Sequence, residues 1–159
     1  MTSPKENRLA NLISTWFGCG YSPAAPGTAG SLGGLAIGIL LHEFAGFGWW
    51  QFLLLGAVAC IPGVWAATRT ARALGVKDPG MVVVDEVIGQ WITLAGAHPF
   101  HWKSYAAAFL LFRIFDIWKP APVRQLEKLP EGLGIVADDV AAGCYAAILL
   151  WLGGVVHFY

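Results

Sequence analysis

Long apolar stretches, separated by short polar connections, dominate the chain. Residues 9–42, 44–68, 87–102 and 140–159 contain no Asp, Glu, Lys or Arg. The second and fourth stretches are long enough to cross a hydrocarbon core of about 30 Å, which takes roughly 20 helical residues. The pattern predicts a short amphipathic N-terminal helix ending before Gly18, followed by five helices at about residues 30–42, 48–68, 84–97, 104–119 and 139–157.

The composition indicates a membrane protein. Hydrophobic residues make up 57% of the 159 residues, charged residues only 13%, and the mean hydropathy is +0.60. A soluble helical bundle is the alternative, but the two longest uncharged stretches exceed what so small a domain usually buries. We therefore expect an all-α fold: a single-domain helical bundle over residues 1–159, with about four or five short membrane helices.

The distribution of charges predicts an orientation and a site. With a cytoplasmic N-terminus, nine of the ten Lys and Arg residues lie on the cytoplasmic side and only Lys103 lies outside. The acidic residues lie on the same cytoplasmic side, with Glu43 as the exception. Carboxylates at the ends of membrane helices are costly unless they are paired or metal-bound, so this cluster is a candidate site. The net charge of zero argues against nucleic acid as a partner.

Residues 17–31, with the sequence FGCGYSPAAPGTAGS, predict a tight loop that opens into an apolar helix. Backbone N–H groups and the hydroxyls of Thr28 and Ser31 would converge at that helix N-terminus, which favours phosphate binding. A capping loop with Ser31 as the cap is the alternative. Composition does not decide between the two.

Two acidic pairs lie beside apolar runs. Asp85 and Glu86 follow three valines, and adjacent carboxylates are expensive to bury unless a cation neutralises them. The alternative is that both cap the following helix, where the helix dipole favours acids. Asp138 and Asp139 form a similar pair at the predicted start of the last helix.

Arg113, Asp116 and Lys119 recur every three residues, which places them in one sector of a helix that Pro120 would end. A plain stripe of ion pairs is the usual meaning of this spacing. Carboxylates of this kind also hold Mg²⁺, and Arg and Lys can take the phosphate charge. The sequence therefore predicts phosphoryl chemistry on a membrane-borne substrate, with magnesium held by some of Asp85, Glu86, Asp116, Asp138 and Asp139.

Three motifs together resemble the phosphatidylglycerophosphatase A family: FGxGxxPxAPGTxGS at 17–31, VDExxG at 84–89, and FRxFDxxKPxP…GxGIxxDDxxAG at 112–143. The resemblance implies a magnesium-dependent phosphatase of the bacterial inner membrane. Its substrate would be phosphatidylglycerophosphate, which loses its terminal phosphate to give phosphatidylglycerol. The active site is expected to face the cytoplasm.

The matching positions imply roles for individual residues. The catalytic residues would be Asp85, Glu86, Asp116 and Asp139, and the substrate-binding residues Thr28, Ser31, Arg113 and Lys119. The motifs of cysteine-dependent, histidine-dependent and haloacid dehalogenase-type phosphatases do not occur. An ion or proton carrier and a scaffold subunit remain the alternatives from other functional classes.

Overall fold

The structure, a computed structural model, describes residues 4–158. These residues form seven α-helices and a 3₁₀ turn at Cys19–Tyr21, without a β-strand among them, which confirms the predicted all-α fold. The helices are α1 (Pro4–Ser14), α2 (Pro26–Ala45), α3 (Trp49–Leu74), α4 (Val84–Leu94), α5 (Trp102–Trp118), α6 (Val123–Leu126) and α7 (Glu131–Val155).

Three of these helices, α2, α3 and α7, are long and apolar enough to cross a membrane. The helices α4 and α5 lie where further spans are predicted, but with 11 and 17 residues they fall short of the roughly 20 that a span needs. Large apolar side chains such as Phe44, Ile61 and Ile148 are exposed on the outside of the bundle. An apolar outer surface of this kind suits lipid better than water.

The short helix α4 forms the centre of the bundle. Every residue from Val84 to Leu94 except Glu86 is buried, and α2, α3, α5 and α7 all pack against this helix. A helix enclosed by protein on all sides is apolar around its circumference whether or not it spans a membrane. This explains why the hydropathy pattern alone indicates a further span here.

Two helices begin earlier than predicted. Pro26 occupies the first turn of α2, a position that proline favours, and the N-cap is Ala25, so Ser31 does not cap this helix. The helix α7 begins at Glu131 rather than near residue 139. Its glycine-rich start is held by tertiary contacts, since the Gly132 N–H donates to Thr68 Oγ1 at 3.1 Å.

Close contacts align α2 with α4 and bring α5 to the same end of the bundle. Gly27 lies against Glu86 and Gly38 against Leu94, so α2 and α4 run parallel and begin at the same end. A Cβ on Gly27 would also lie 3.3 Å from Nη1 of Arg113, near the C-terminus of α5. One end of the bundle therefore combines two helix N-termini with the charged end of α5.

Candidate functional site

Three carboxylates from two helices meet at this end of the bundle. Asp85 and Glu86 come from the first turn of α4, and Asp139 comes from α7. One oxygen atom of each carboxylate lies within 4.8 Å of the other two. Asp85 and Asp139 are only 8% and 3% exposed. We call these three residues the acidic group.

Each carboxylate of the acidic group has one buried oxygen without a hydrogen-bond partner among the described residues: Asp85 Oδ1, Glu86 Oε2 and Asp139 Oδ2. Buried carboxylate oxygens without a partner are costly, and a cation between them removes that cost. All three ligands are hard oxygen donors, the type that Mg²⁺ prefers, and Mg²⁺ usually keeps several waters as well. The acidic group is therefore able to hold a divalent metal ion.

Arg113 and Asp116 form an ion pair beside the acidic group. The Arg113 Nη1 atom donates a hydrogen bond to Asp116 Oδ2 and lies 3.9 Å from Glu86 Oε1. The Asp116 charge acts on both Glu86 and Asp139, which places it next to the acidic group, although it is not one of the three grouped carboxylates. Arg113 thus brings a positive charge to the edge of the candidate metal site.

Lys119 forms a second ion pair, separate from that of Arg113 and Asp116, so the three residues do not form one continuous stripe on α5. Lys119 follows the last helical residue in a left-handed conformation, with φ of 48°, rather than continuing the helix face. Its Nζ atom donates to Asp138 Oδ2 at 2.7 Å and lies 3.4 Å from Glu127 Oε2. Burial lowers the pKa of Lys119, but Asp138 and Glu127 outweigh that effect, so the net pKa is raised and the ammonium stays charged.

Asp138 is placed differently from the acidic group. Its Oδ2 accepts from Lys119 and its Oδ1 accepts from the Asp139 backbone N–H at 3.1 Å. The pair Asp138 and Asp139 also lies two turns inside α7 rather than at its start, which corrects the prediction. Successive helical residues point about 100° apart, so one aspartate meets the lysine while the other meets the acidic group.

Negative charge exceeds positive charge at the site. Five carboxylates, those of Asp85, Glu86, Asp116, Asp138 and Asp139, are matched by the two cations Arg113 and Lys119. If all five are ionised, the net excess is three negative charges, and no ion pair joins Asp85 or Asp139 to either cation. Such an excess in a buried site is relieved by protonation or by a bound cation.

Protonation is favoured at the first two carboxylates. Burial raises the pKa of Asp85 well above its usual value, and the charges of Glu86 and Asp139 raise it further. Burial also raises the pKa of Glu86 to about 7, although the hydrogen bond with Asp85 and the charge of Arg113 oppose that rise. Both side chains therefore bind protons more readily than exposed carboxylates do.

The start of α2 lies beside the site and contains both predicted hydroxyl residues, Thr28 in the first turn and Ser31 in the second. Thr28 is partly buried in the first turn, where a backbone N–H has no carbonyl four residues earlier inside the helix. Ser31 is fully buried, and its hydroxyl donates to the Gly27 carbonyl at 2.9 Å. Its O–H is therefore directed into the helix and not toward a phosphate.

Sequence reasoning placed Asp78 in the wider acidic cluster without giving it a role, and it missed Gln90 altogether. Asp78 is exposed in the loop before α4, and its charge acts on Asp85. Gln90 is fully buried one helical turn after Glu86, and neither its amide oxygen nor its amide nitrogen has a hydrogen-bond partner among the described residues. The available signals were an acidic residue in a Pro-Gly turn and an amide within an apolar helix.

Comparison with known proteins identifies the family of this chain. The family description "Phosphatidylglycerophosphatase A" matches residues 12–153. Proteins named phosphatidylglycerophosphatase A are 38% identical in Escherichia coli K12, covering 91% of this chain and 83% of the relative, and 41% identical in Haemophilus influenzae, covering 89% and 86%. A Bacteroides thetaiotaomicron protein with the provisional name phosphatidylinositol-3-phosphatase is 46% identical, covering 89% and 91%. No solved structure matches. The chain belongs to the phosphatidylglycerophosphatase A family of phosphatases.

Proposed function

We propose that this protein is a magnesium-dependent lipid phosphatase that hydrolyses the terminal phosphate monoester of phosphatidylglycerophosphate. The products would be phosphatidylglycerol and inorganic phosphate. The observation that carries the proposal is the acidic group, with one buried, unpartnered oxygen on each of three carboxylates, beside an arginine. The names of the E. coli and H. influenzae relatives support the choice of substrate.

Asp85, Glu86 and Asp139 would hold the magnesium ion, with Asp138 outside that ligand set because Lys119 occupies it. Bound there, the ion supplies Lewis-acid stabilisation of the phosphate charge and lowers the pKa of a bound water. The remaining N–H groups of Arg113 would bind phosphate oxygens, since a guanidinium has more donors than its ion pair with Asp116 uses.

Asp116 is the carboxylate we assign as general base. It lies beside the acidic group without belonging to it, and Arg113 holds it in place. Asp116 would accept a proton from the attacking water as the water oxygen bonds to phosphorus. The phosphorus–oxygen bond to the glycerol then breaks, and the proton taken up by Asp116 would pass to the departing oxygen, which leaves as a hydroxyl group of phosphatidylglycerol. The backbone N–H groups at Gly27 and Thr28 would add donors to the phosphate.

We place the site at the cytoplasmic face of a bacterial inner membrane. Basic residues favour that side in short connections, and Arg113 and Lys119 lie at the same end of the bundle as the acidic group. The opposite end contains Glu43, which accepts a hydrogen bond from Tyr105 at 3.3 Å. An ion carrier would instead need its carboxylates near the bilayer midplane, whereas Asp85 and Glu86 lie at the end of the bundle that contains Arg113 and Lys119.

Phosphate release from phosphatidylglycerophosphate in mixed micelles tests the proposal. The purified protein should release phosphate with magnesium and stop when EDTA removes the metal, and Asp85→Asn should be inactive. Glu131→Gln, which changes an exposed ion pair with Arg72, is the matched control and should retain activity. Absence of release by the wild-type protein would refute the assigned reaction, and release unaffected by EDTA would refute the metal.

A competition assay separates head groups. The B. thetaiotaomicron relative has a name that refers to a phosphoinositide, so phosphatidylinositol 3-phosphate and phosphatidate serve as competing substrates. We expect phosphatidylglycerophosphate to have the highest kcat/KM of the three. A higher kcat/KM for phosphatidylinositol 3-phosphate would refute phosphatidylglycerophosphate as the preferred substrate and favour phosphoinositides instead.

A further inference from the structure

Gln90 is the buried polar residue that the proposed mechanism does not use. Its side chain is fully buried, and both amide atoms, Oε1 and Nε2, lack a hydrogen-bond partner among the described residues. A buried primary amide can make several hydrogen bonds, and each one left unmade costs stability. A residue with only a packing role at this position would be apolar.

Other polar side chains on the same buried helix do have partners. The Thr93 hydroxyl donates to the Gly89 carbonyl at 2.8 Å, and the Trp91 Nε1–H donates to the Gly34 carbonyl at 3.0 Å. The Trp91 N–H therefore finds its acceptor on the neighbouring helix α2, and the Thr93 hydroxyl finds one on the backbone of α4 itself. The amide of Gln90 has neither kind of partner, so an additional polar group is needed beside it.

Helical spacing places Glu86 on the same face of α4 as Gln90. Residues four apart share one face of a helix, with their Cβ atoms about 6 Å apart, so Gln90 lies one turn further along that face than Glu86. The Glu86 Oε2 atom is likewise buried without a partner. A buried water needs two to four polar partners, and these two side chains together offer three unpartnered atoms.

We infer that Gln90 is a positioning residue, which holds the Glu86 carboxylate in its metal-binding orientation through a buried water. The inference rests on the metal site of the proposed function. Gln90 would touch neither the metal nor the substrate. Groups that support metal ligands from behind typically change metal affinity or activity 10- to 100-fold when they are removed.

A manganese titration tests this role. The purified protein in detergent micelles is titrated with Mn²⁺, and free Mn²⁺ is followed by electron paramagnetic resonance. Gln90→Met keeps the approximate volume but removes the amide, and we expect it to weaken Mn²⁺ binding at least about tenfold. The unfolding temperature of the metal-free variant should be equal to or higher than that of the wild type, because an unpartnered amide has been removed.

Thr93→Val is the matched control, since it removes a buried polar group from the same helix, and it should leave Mn²⁺ affinity unchanged. Equal affinity of Gln90→Met and wild type would overturn the inference and leave the proposed function intact. Equal weakening by both variants would also overturn it, because loosening of α4 would explain that result. Absence of Mn²⁺ binding by the wild type would refute the proposed metal site, and the inference with it.

Gln90→Asn provides a second test that remains decisive if Gln90→Met does not fold. Asparagine has the same amide on a side chain that is one methylene shorter. A polar group therefore stays buried, but it no longer reaches the proposed water. Weaker Mn²⁺ binding, together with a higher magnesium concentration for half-maximal phosphate release, is the expected result. Unchanged values of both would rule out a positioning role for Gln90.

Discussion

Replacing Glu86 by glutamine should stabilise the metal-free protein at alkaline pH. Glu86 is a largely buried carboxylate, 14% exposed, in a site with excess negative charge, and glutamine has nearly the same shape without the charge. Arg113 would keep its hydrogen bond to Asp116 in the variant. The substitution therefore removes electrostatic repulsion and leaves the adjacent ion pair in place.

The expected magnitude follows from the pKa of Glu86, which rises from 4.5 to about 7 on folding. Below pH 4.5 the side chain is protonated in both states and costs nothing. As the pH rises from 4.5 to 7 the unfolded state ionises before the folded state, so the folded state loses about 3 kcal/mol at 1.36 kcal/mol per pKa unit, and the loss is complete above pH 7. For a chain of this size, 1 kcal/mol shifts the unfolding temperature by about 2–4 °C. Glu86→Gln should therefore unfold roughly 6–12 °C above wild type at alkaline pH.

Thermal unfolding in detergent micelles, followed by the fluorescence of the eight tryptophans, measures this difference. Scans with EDTA at about pH 8.5 and about pH 4 should show the full gain and almost none, respectively. Magnesium should raise the unfolding temperature of the wild type at alkaline pH and have a smaller effect on the variant. Glu131→Gln changes only an exposed ion pair with Arg72 and serves as the control. Magnesium should raise its unfolding temperature by the same amount as that of the wild type.

Two results would refute the reasoning. If Glu86→Gln unfolded below wild type at alkaline pH without metal, the Glu86 carboxylate would be stabilising in its surroundings, and the excess of negative charge would not be real. If the difference did not vary between the two pH values, it would not arise from ionisation of Glu86. Either result would remove the electrostatic argument for a bound cation.

Three further substitutions test other parts of the account. Asp139→Asn should lower phosphate release at saturating magnesium more than about 100-fold with unchanged helix content by circular dichroism, since metal catalysis supplies several kcal/mol. Arg113→Lys should raise KM about tenfold in steady-state kinetics, because lysine keeps the charge without the two-pronged donor geometry. Gly143→Ala should lower the free energy of unfolding by about 1–3 kcal/mol, because its Cβ would lie 2.6 Å from the Gly89 carbonyl oxygen. Gly80→Ala, which has open space around it, is the control and should leave the unfolding temperature unchanged.

The sequence predicted the elements of the fold better than their depth in a membrane. Apolar periodicity and proline positions placed the main helices, and α5 ends at Trp118, immediately before Lys119 and the predicted stop at Pro120. The same signal could not separate α4, which is enclosed by protein, from a helix enclosed by lipid. Helix starts were missed where tertiary contacts support glycines, as at Gly132.

Within the site, the sequence predicted which residue types meet, but not how they pair. Asp85, Glu86 and Asp139 come together, whereas Asp138 turns to Lys119. The left-handed conformation of Lys119, which takes it off the helix face, is not visible in residue spacing. Gln90 escaped notice because one amide in an apolar run is a weak signal, and its burial without a partner becomes visible only in the structure.

The spacing of acids and glycines in the motifs explains how the acidic group assembles. Gly89 follows Asp85 by four residues, and Gly143 follows Asp139 by four, so each glycine lies one turn from a carboxylate on the same helix face. A Cβ on Gly143 would lie 2.6 Å from the Gly89 carbonyl oxygen, so the two backbones touch at these glycines. Asp85 and Asp139 each lie one turn before this contact on their own helix, so the contact places them opposite each other. The glycines bring the backbones close, and the resulting repulsion between carboxylates is the reason a divalent cation fits there.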